Sequence, residues 1–179
     1  MITQAGASVA VSVLTVSDSR TPEMDRSGDI IVDRLTTAGH RLADRRLCKD
    51  DFETIRSIVA GWVGDPKVEF VIVTGGTGVT QRDVTPDAVR SLYTKPIPGF
   101  GELFRWLSFS EIGTSTIQSR ADVGVCGDTI VFLLPGSTGA CRLGMDKIIL
   151  PQLDINHKPC NLTELLPRVK QEFPPHADD

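Results

Sequence analysis

At 179 residues the chain has the size of one compact domain, long enough to bury most of its apolar surface. Its 40% hydrophobic and 23% charged residues lie near the globular average, which excludes wholesale disorder, and no apolar run nears the ~20 residues of a membrane-spanning helix. A formal charge of −4 gives no field attractive to nucleic acid, so neither nucleic acid nor a membrane is expected as a partner, while a local basic pocket stays open.

Ser8 to Ser17 is Val-rich and loosely alternating, the pattern of a strand; nothing basic precedes it, so it does not read as a signal-peptide core. Ser27 to Ala38 sets Ile31, Leu35 and Ala38 at helical spacing and stops at Gly39. Arg41 to Leu47 is a weak second strand. Asp51 stands as the N-cap of a helix whose apolar face is Phe52, Ile55, Val59, Trp62 and Val63, ended by Gly64-Asp65-Pro66. Val68 to Thr74 is apolar almost throughout, as in strands buried on both faces of a sheet. Thr85 as N-cap and Pro86 in the first turn open a helix over Asp87 to Tyr93, and Pro96-Ile97-Pro98-Gly99 breaks the chain.

The next helix carries Phe100, Leu103, Phe104, Trp106 and Leu107, more apolar surface than one core stripe requires. It is either a well-buried core helix or one that also meets another subunit. Asp128 to Leu134 is a buried strand, and Pro135-Gly136-Ser137-Thr138 leads into a helix ending near Pro151. A short helix over Asn161 to Phe173 follows, and residues 1–7 and Pro174 to Asp179 read as frayed ends. Repeated strand and helix alternation predicts a single α/β domain over residues 1–179, a three-layer, mostly parallel sheet with helices on both faces.

Cys48, Cys126, Cys141 and Cys160 lack the CxxC spacing of a zinc site and fit reduced, mostly buried thiols, so a cytoplasmic location is expected. His40, His157 and His176 share no spacing with a Ser or Cys nucleophile, which leaves a hydrolase triad without support.

In open α/β sheets, ligands gather beyond the C-terminal ends of the strands. Three polar clusters fall at such ends: Thr15-Val16-Ser17-Asp18, Thr74-Gly75-Gly76-Thr77-Gly78 and Pro135-Gly136-Ser137-Thr138, with the acidic turn Asp50-Asp51 able to join them. The middle cluster is the most informative. An apolar strand empties into three glycines within four positions, whose backbone N–H groups can turn inward around an anion. Arg82-Asp83-Val84-Thr85-Pro86-Asp87 follows, with Asp83 where a hard cation on those phosphates would want a carboxylate. The first βα turn, Ser17 to Arg20, lacks GxGxxG, and no Lys-Ser/Thr closes the glycine loop, so neither a dinucleotide fingerprint nor a Walker P-loop is present.

Asp51 and Asp87 read most simply as helix N-terminal residues facing the positive end of the dipole. Asp18 reads as an Asx-turn or a ligand contact, and Arg82 as a phosphate screen or a solvated charge. Ser137 and Thr85 read as caps, which is compatible with phosphate at the same helix ends. Asp50 and Asp83 have no such simple structural role.

Thr74-Gly75-Gly76-Thr77-Gly78, Arg82-Asp83-Val84-Thr85-Pro86-Asp87, Pro98-Gly99-Phe100-Gly101-Glu102 and Pro135-Gly136-Ser137 together resemble the MoaB/MogA family of molybdenum cofactor biosynthesis. Ser108 to Arg120 is more similar to the MoaB branch than to the MogA branch. The resemblance implies a molybdopterin adenylyltransferase that uses Mg-ATP and releases pyrophosphate, working as a homotrimer or hexamer. It implies that Asp83 and Asp50 are the catalytic carboxylates and hold Mg²⁺. The strand-end clusters with Arg82, namely Ser17, Asp18, Thr74, Gly75, Gly76, Thr77, Gly78, Arg82, Pro135, Gly136 and Ser137, are expected to line the phosphate and ligand site. By the same resemblance, MoaB-branch members that lack the acidic pair or its surroundings are inactive; this chain keeps Asp50, Arg82 and Asp83, although Lys49 stands where the MogA branch often has Pro. The competing expectation is a MoaB-type protein that binds or scaffolds molybdopterin without adenylylating it. A third, an unrelated nucleotide-binding regulator, would bind ATP without regard to pterin.

Overall fold

The computed structural model describes residues 8–169. Six strands form one sheet: β1 (Ala10–Val16), β2 (Arg41–Cys48), β3 (Phe70–Thr74), β4 (Lys95–Pro96), β5 (Asp122–Cys126) and β6 (Thr129–Leu134). They run in the order β2-β1-β3-β6-β5-β4, with β2, β1, β3 and β6 parallel to one another and β5 antiparallel to β6 and β4. The helices are α1 (Arg26–Thr37), α2 (Phe52–Val63), α3 (Thr85–Arg90), α4 (Gly99–Ile112), α5 (Thr138–Gly144), α6 (Leu150–Leu153) and α7 (Leu162–Val169).

The period of two along the strands builds both cores. Val11, Val13, Phe70, Ile72, Phe132 and Leu134 face one side, where Ile31 and Leu35 of α1, Phe100 and Phe104 of α4 and Cys141 of α5 cover them. Leu14, Val16, Val71, Val73, Val131 and Leu133 face the other, against Ile55, Val59 and Trp62 of α2 and Ala88 and Val89 of α3. Strands flanked this way must be apolar on both faces, which is why β3 and β6 are buried along their whole length. The expected three-layer, mostly parallel architecture is the one observed.

Several local readings change. Asp122 to Cys126 is a strand that its short, Gly-interrupted sequence hides; it closes a hairpin through Gly127-Asp128, with Gly127 at φ 55°, so β6 begins at Thr129 and not at Asp128. The Tyr93 ring lies over Gly124, where any Cβ would fall 2.5 Å from it, which explains the glycine in mid-strand. Helix α3 spans Thr85–Arg90 and not Asp87 to Tyr93, and Val84 is its N-cap. The helix after β6 is interrupted by a π-helical turn, Met145–Ile149, before α6. The last helix is seen as Leu162–Val169; its expected extension to Phe173, like the expected frayed ends, lies outside the described residues.

Helix α4 has two apolar faces. Phe100 and Phe104 are buried in the core, whereas Leu103, Trp106, Phe109 and Ile112 point outward, with Trp106 72% exposed. Ile117, in the 3₁₀ turn Gly113–Gln118 that follows, extends this outer patch. No helix among the described residues is long and apolar enough to cross a membrane.

Candidate functional site

From β1 the chain moves outward to β2 and then crosses back to β3 on the other side, so the strand order reverses between β1 and β3. At such a switch point the loops leave in opposite directions and open a crevice. A cleft of about 530 Å³ lies there, walled by Ser17 and Arg20 after β1, Gly75 to Gly78 and Asp83 after β3, Pro135 to Ser137 after β6, and Gln118 and Ser119 before β5.

The glycines are dictated by crowding. Gly75 (φ 102°) would place a Cβ 2.1 Å from the Val16 carbonyl oxygen, and Gly76 (φ 61°) would place one 2.3 Å from the Thr85 hydroxyl and 2.5 Å from Asp50 Oδ2. A Cβ on Gly78 would lie 2.8 Å from Asp83 Oδ2. The loop therefore passes so close to two carboxylates that no side chain fits at Gly76 or Gly78. Arg120 clamps it: Nε donates to the Gly78 carbonyl at 2.7 Å, Nη1 to Asp87 at 3.0 Å, and Nη2 to the Asp83 carbonyl. The Arg120 N–H also donates to the Thr77 carbonyl at 3.1 Å.

The two carboxylates differ in environment. Burial raises the Asp50 carboxyl above the usual range; the Val84 N–H, donating to Oδ1 at 3.2 Å, lowers it, and the Asp83 and Asp18 charges raise it further. Burial also pushes Asp83 up, but hydrogen bonds from the Thr80 hydroxyl (2.5 Å) and N–H (2.9 Å) outweigh it and hold Asp83 below the usual range. Thr85 does not cap α3 as expected. Its N–H donates to the Gly76 carbonyl at 3.1 Å, and its fully buried hydroxyl has no partner among the described residues.

Of the residues singled out from the sequence, Ser17, Gly75, Gly76, Thr77, Gly78, Asp83, Pro135, Gly136 and Ser137 come together on the cleft wall. Asp50 stands directly behind Gly76. Ser137 accepts the Ala140 N–H at 3.2 Å as the cap of α5, and Asp51 caps α2 through the Thr54 N–H at 2.9 Å, both as expected. Thr74 does not line the cleft: it is buried, and its hydroxyl donates to the Pro135 carbonyl at 3.0 Å beside the Cys141 thiol. Asp18 and Arg82 are off the wall as well. They pair with each other at 2.6 Å, and Asp18 accepts the Asp50 N–H at 3.2 Å, so they brace the β1, β2 and β3 loops together. Sequence reasoning missed Arg20 and Arg120. Arg20 lies three residues beyond Ser17 at a strand end already flagged, whereas no local pattern marks Arg120.

Residues 12–155 match a family model described as "Probable molybdopterin binding domain". The molybdenum cofactor biosynthesis protein B of Escherichia coli strain K12 is 46% identical over 151 residues, 84% of this chain and 89% of that protein. A crystal structure of molybdenum cofactor biosynthesis protein B superposes with a TM-score of 0.84 at 41% identity, covering 94% of this chain and 100% of that one. The tungsten cofactor synthesizing protein MoaB of Pyrococcus furiosus superposes with a TM-score of 0.76 at 27% identity, covering 92% and 98% of the two chains. With the family model spanning most of the sheet and the cleft built from the loops that carry its motifs, the chain belongs to the MoaB/MogA family of molybdenum cofactor biosynthesis proteins.

Proposed function

We propose that the protein adenylylates molybdopterin, converting Mg-ATP and molybdopterin into adenylylated molybdopterin and pyrophosphate. One observation carries this reading: a single glycine loop at the switch point is backed by two carboxylates, Asp50 against Gly76 and Asp83 against Gly78. A site that only held a pterin phosphate would gain nothing from this pair, because two carboxylates repel a bound phosphate unless a cation stands between them. Among the described residues no third acidic, His or Cys ligand completes a protein-only cage. That donor set fits Mg²⁺, which is typically held by one or two carboxylates while substrate phosphates and water fill the remaining positions. Asp50 and Asp83 would hold the ion, which would neutralise the crowded phosphates.

The nucleophile is an oxygen of the molybdopterin phosphate. With a second pKa of about 6 it is already largely ionised at neutral pH, so no strong general base is required. That oxygen forms a bond to the α-phosphorus of ATP as the bond from the α-phosphorus to the bridging oxygen breaks, and the electron pair leaves with pyrophosphate. The protein supplies placement: the Gly75 N–H is taken by the Leu134 carbonyl at 3.0 Å and the Gly78 N–H by Asp83, so the loop donors for the phosphates would be those of Gly76 and Thr77, and Arg120 fixes the loop so that these and Asp83 move as one piece. Assembly as a homotrimer or hexamer belongs to the same reading and is supported by the outward apolar face of α4 and Ile117, which a second copy would cover.

The test is pyrophosphate release by purified protein given Mg-ATP and molybdopterin, with an ATP-only control. Release that requires pterin supports the adenylyltransferase. Saturable molybdopterin binding without release would assign the chain to a binding or scaffolding role, and ATP binding indifferent to pterin would point to a nucleotide-binding regulator.

A further inference from the structure

Among the described residues Arg20 is the only cationic side chain on the cleft wall. Its guanidinium reaches from the β1 loop to the β6 loop: Nη2 donates to the Gly136 carbonyl at 2.8 Å, and Nη1 to the Ser27 hydroxyl at 3.0 Å. Ser27 in turn donates to the same Gly136 carbonyl at 2.8 Å. The fork is thus held in place while the side chain stays 29% exposed. A guanidinium carries five N–H donors, and these two bonds leave the others available.

Its charge is only loosely engaged within the protein, although Arg45 is shared between Asp25 and Asp29 at 2.8 Å each. Asp25 is the nearest carboxylate, at 3.9 Å, but Asp25 is committed elsewhere: it takes Arg45 at 2.8 Å, the Thr15 hydroxyl at 2.8 Å and the Gly28 N–H at 3.0 Å. The cleft is therefore polarised, with a preorganised cation beside Gly136 and Ser137 and the carboxylates Asp50 and Asp83 behind Gly76 and Gly78. A fixed guanidinium fits a phosphate monoester in a two-point, charge-assisted arrangement and needs no metal to do so. Carboxylates, by contrast, tolerate phosphate only when a cation bridges them.

We infer that Arg20 is the anchor for the metal-free phosphate monoester of the pterin substrate, which sorts the two anionic ligands between the two sides of the cleft. The inference rests on the proposed molybdopterin substrate, but not on the adenylyl transfer. In this arrangement the attacking phosphate is held from the β1 and β6 loops, and the metal-bound polyphosphate lies against the β3 loop, so the two anions approach from opposite sides.

The experiment is calorimetric titration of the wild type, Arg20→Gln and Arg20→Lys with molybdopterin and with its dephosphorylated form, in chelator and without ATP. Gln keeps an N–H donor for Gly136 and removes the charge; Lys keeps the charge and removes the fork. Loss of a charge-assisted pair predicts that Arg20→Gln binds molybdopterin about 10- to 100-fold more weakly, with a smaller loss in Arg20→Lys. Binding of the dephosphorylated pterin, and of Mg-ATP in a parallel titration with magnesium, stays within about twofold. Unchanged molybdopterin affinity in Arg20→Gln overturns the inference, as does an equal loss for the dephosphorylated form. Should Arg20→Gln not fold, the same comparison in Arg20→Lys decides the matter, since a purely structural role would weaken both pterins alike. Because these titrations contain no ATP, they read the anchor even if the wild type releases no pyrophosphate.

Discussion

Substituting Gly76 by Ala tests how tightly the loop is built around its carboxylates. The residue sits at φ 61°, a conformation that costs an L-residue about 1 kcal/mol or somewhat more. The new Cβ would lie 2.3 Å from the Thr85 hydroxyl and 2.5 Å from Asp50 Oδ2, and real Cβ contacts stay beyond 3.0 Å. Both groups must therefore retreat by at least about 0.5 Å, a crowding cost of roughly 1–3 kcal/mol. Thr85 is fully buried and followed by Pro86, so most of the movement falls on Asp50. Gly76→Ala is expected to lose about 2–4 kcal/mol, a fall in Tm of roughly 5–12 °C for a chain of this size. If Asp50 holds the metal as proposed, displacing it by up to an ångström should lower pterin-dependent pyrophosphate release by about 100-fold. Gly61→Ala is the control: it lies exposed inside α2 with no atom within 4 Å of a built Cβ, and it should stabilise by about 0.5–1 kcal/mol without altering turnover. A Gly76→Ala protein with wild-type Tm and turnover would refute the reasoning, and the thermal measurement stands independently of any activity.

The two carboxylates should respond to pH with opposite signs. Asp50 has a raised pKa in the folded protein, so the folded state binds its proton more tightly; its contribution favours folding at low pH and is lost as pH rises through the folded pKa. Asp83 is depressed, so its contribution is present above the usual value of 3.8 and is lost as pH falls through the folded pKa. In denaturant titrations at pH 7, Asp50→Asn is therefore expected to be more stable than wild type and Asp83→Asn less stable, both differences shrinking toward acid, while both variants lose turnover; equal signs at pH 7 would contradict the assignment. Arg120→Ala should cost about 1–3 kcal/mol by leaving the Gly78 and Asp83 carbonyls without their donor, and turnover should fall with it; hydrogen exchange confined to the glycine loop would register the loosening. Trp106→Asp on the outer face of α4 should shift light-scattering mass to the monomer if a second copy covers that patch, and an unchanged mass would remove the patch from the assembly.

Much of the site was legible because its signals are local. A buried strand, a run of glycines and a helix cap each depend on neighbours within a few residues, so Gly75 to Gly78, Asp51 and Ser137 could be read directly, and the two-faced apolar pattern of β3 implied helices on both sides of the sheet. Thr85 resisted the same treatment. Its position before Pro86 suggests a cap, but the loop above it takes the backbone N–H through Gly76 and buries the hydroxyl. Thr74 was misread for a related reason: side chains at a strand's end alternate between cleft and core, and its hydroxyl turned to Pro135.

The sequence by itself determined the apolar strands β1, β3 and β6, the amphipathic helices α1 and α2 and the glycine loop, since each arises from periodicity or backbone freedom within one segment. Only the tertiary structure decided which charges meet. Arg20 reaches Gly136 across 116 positions because parallel strands with crossover helices bring distant strand ends into one row, and Arg120 reaches Gly78 across 42 because antiparallel β5 starts at that same edge. Charge contacts of that kind carry no local period, so whether an arginine braces a loop, pairs with Asp18 or faces the cleft depends on the order of the strands in the sheet.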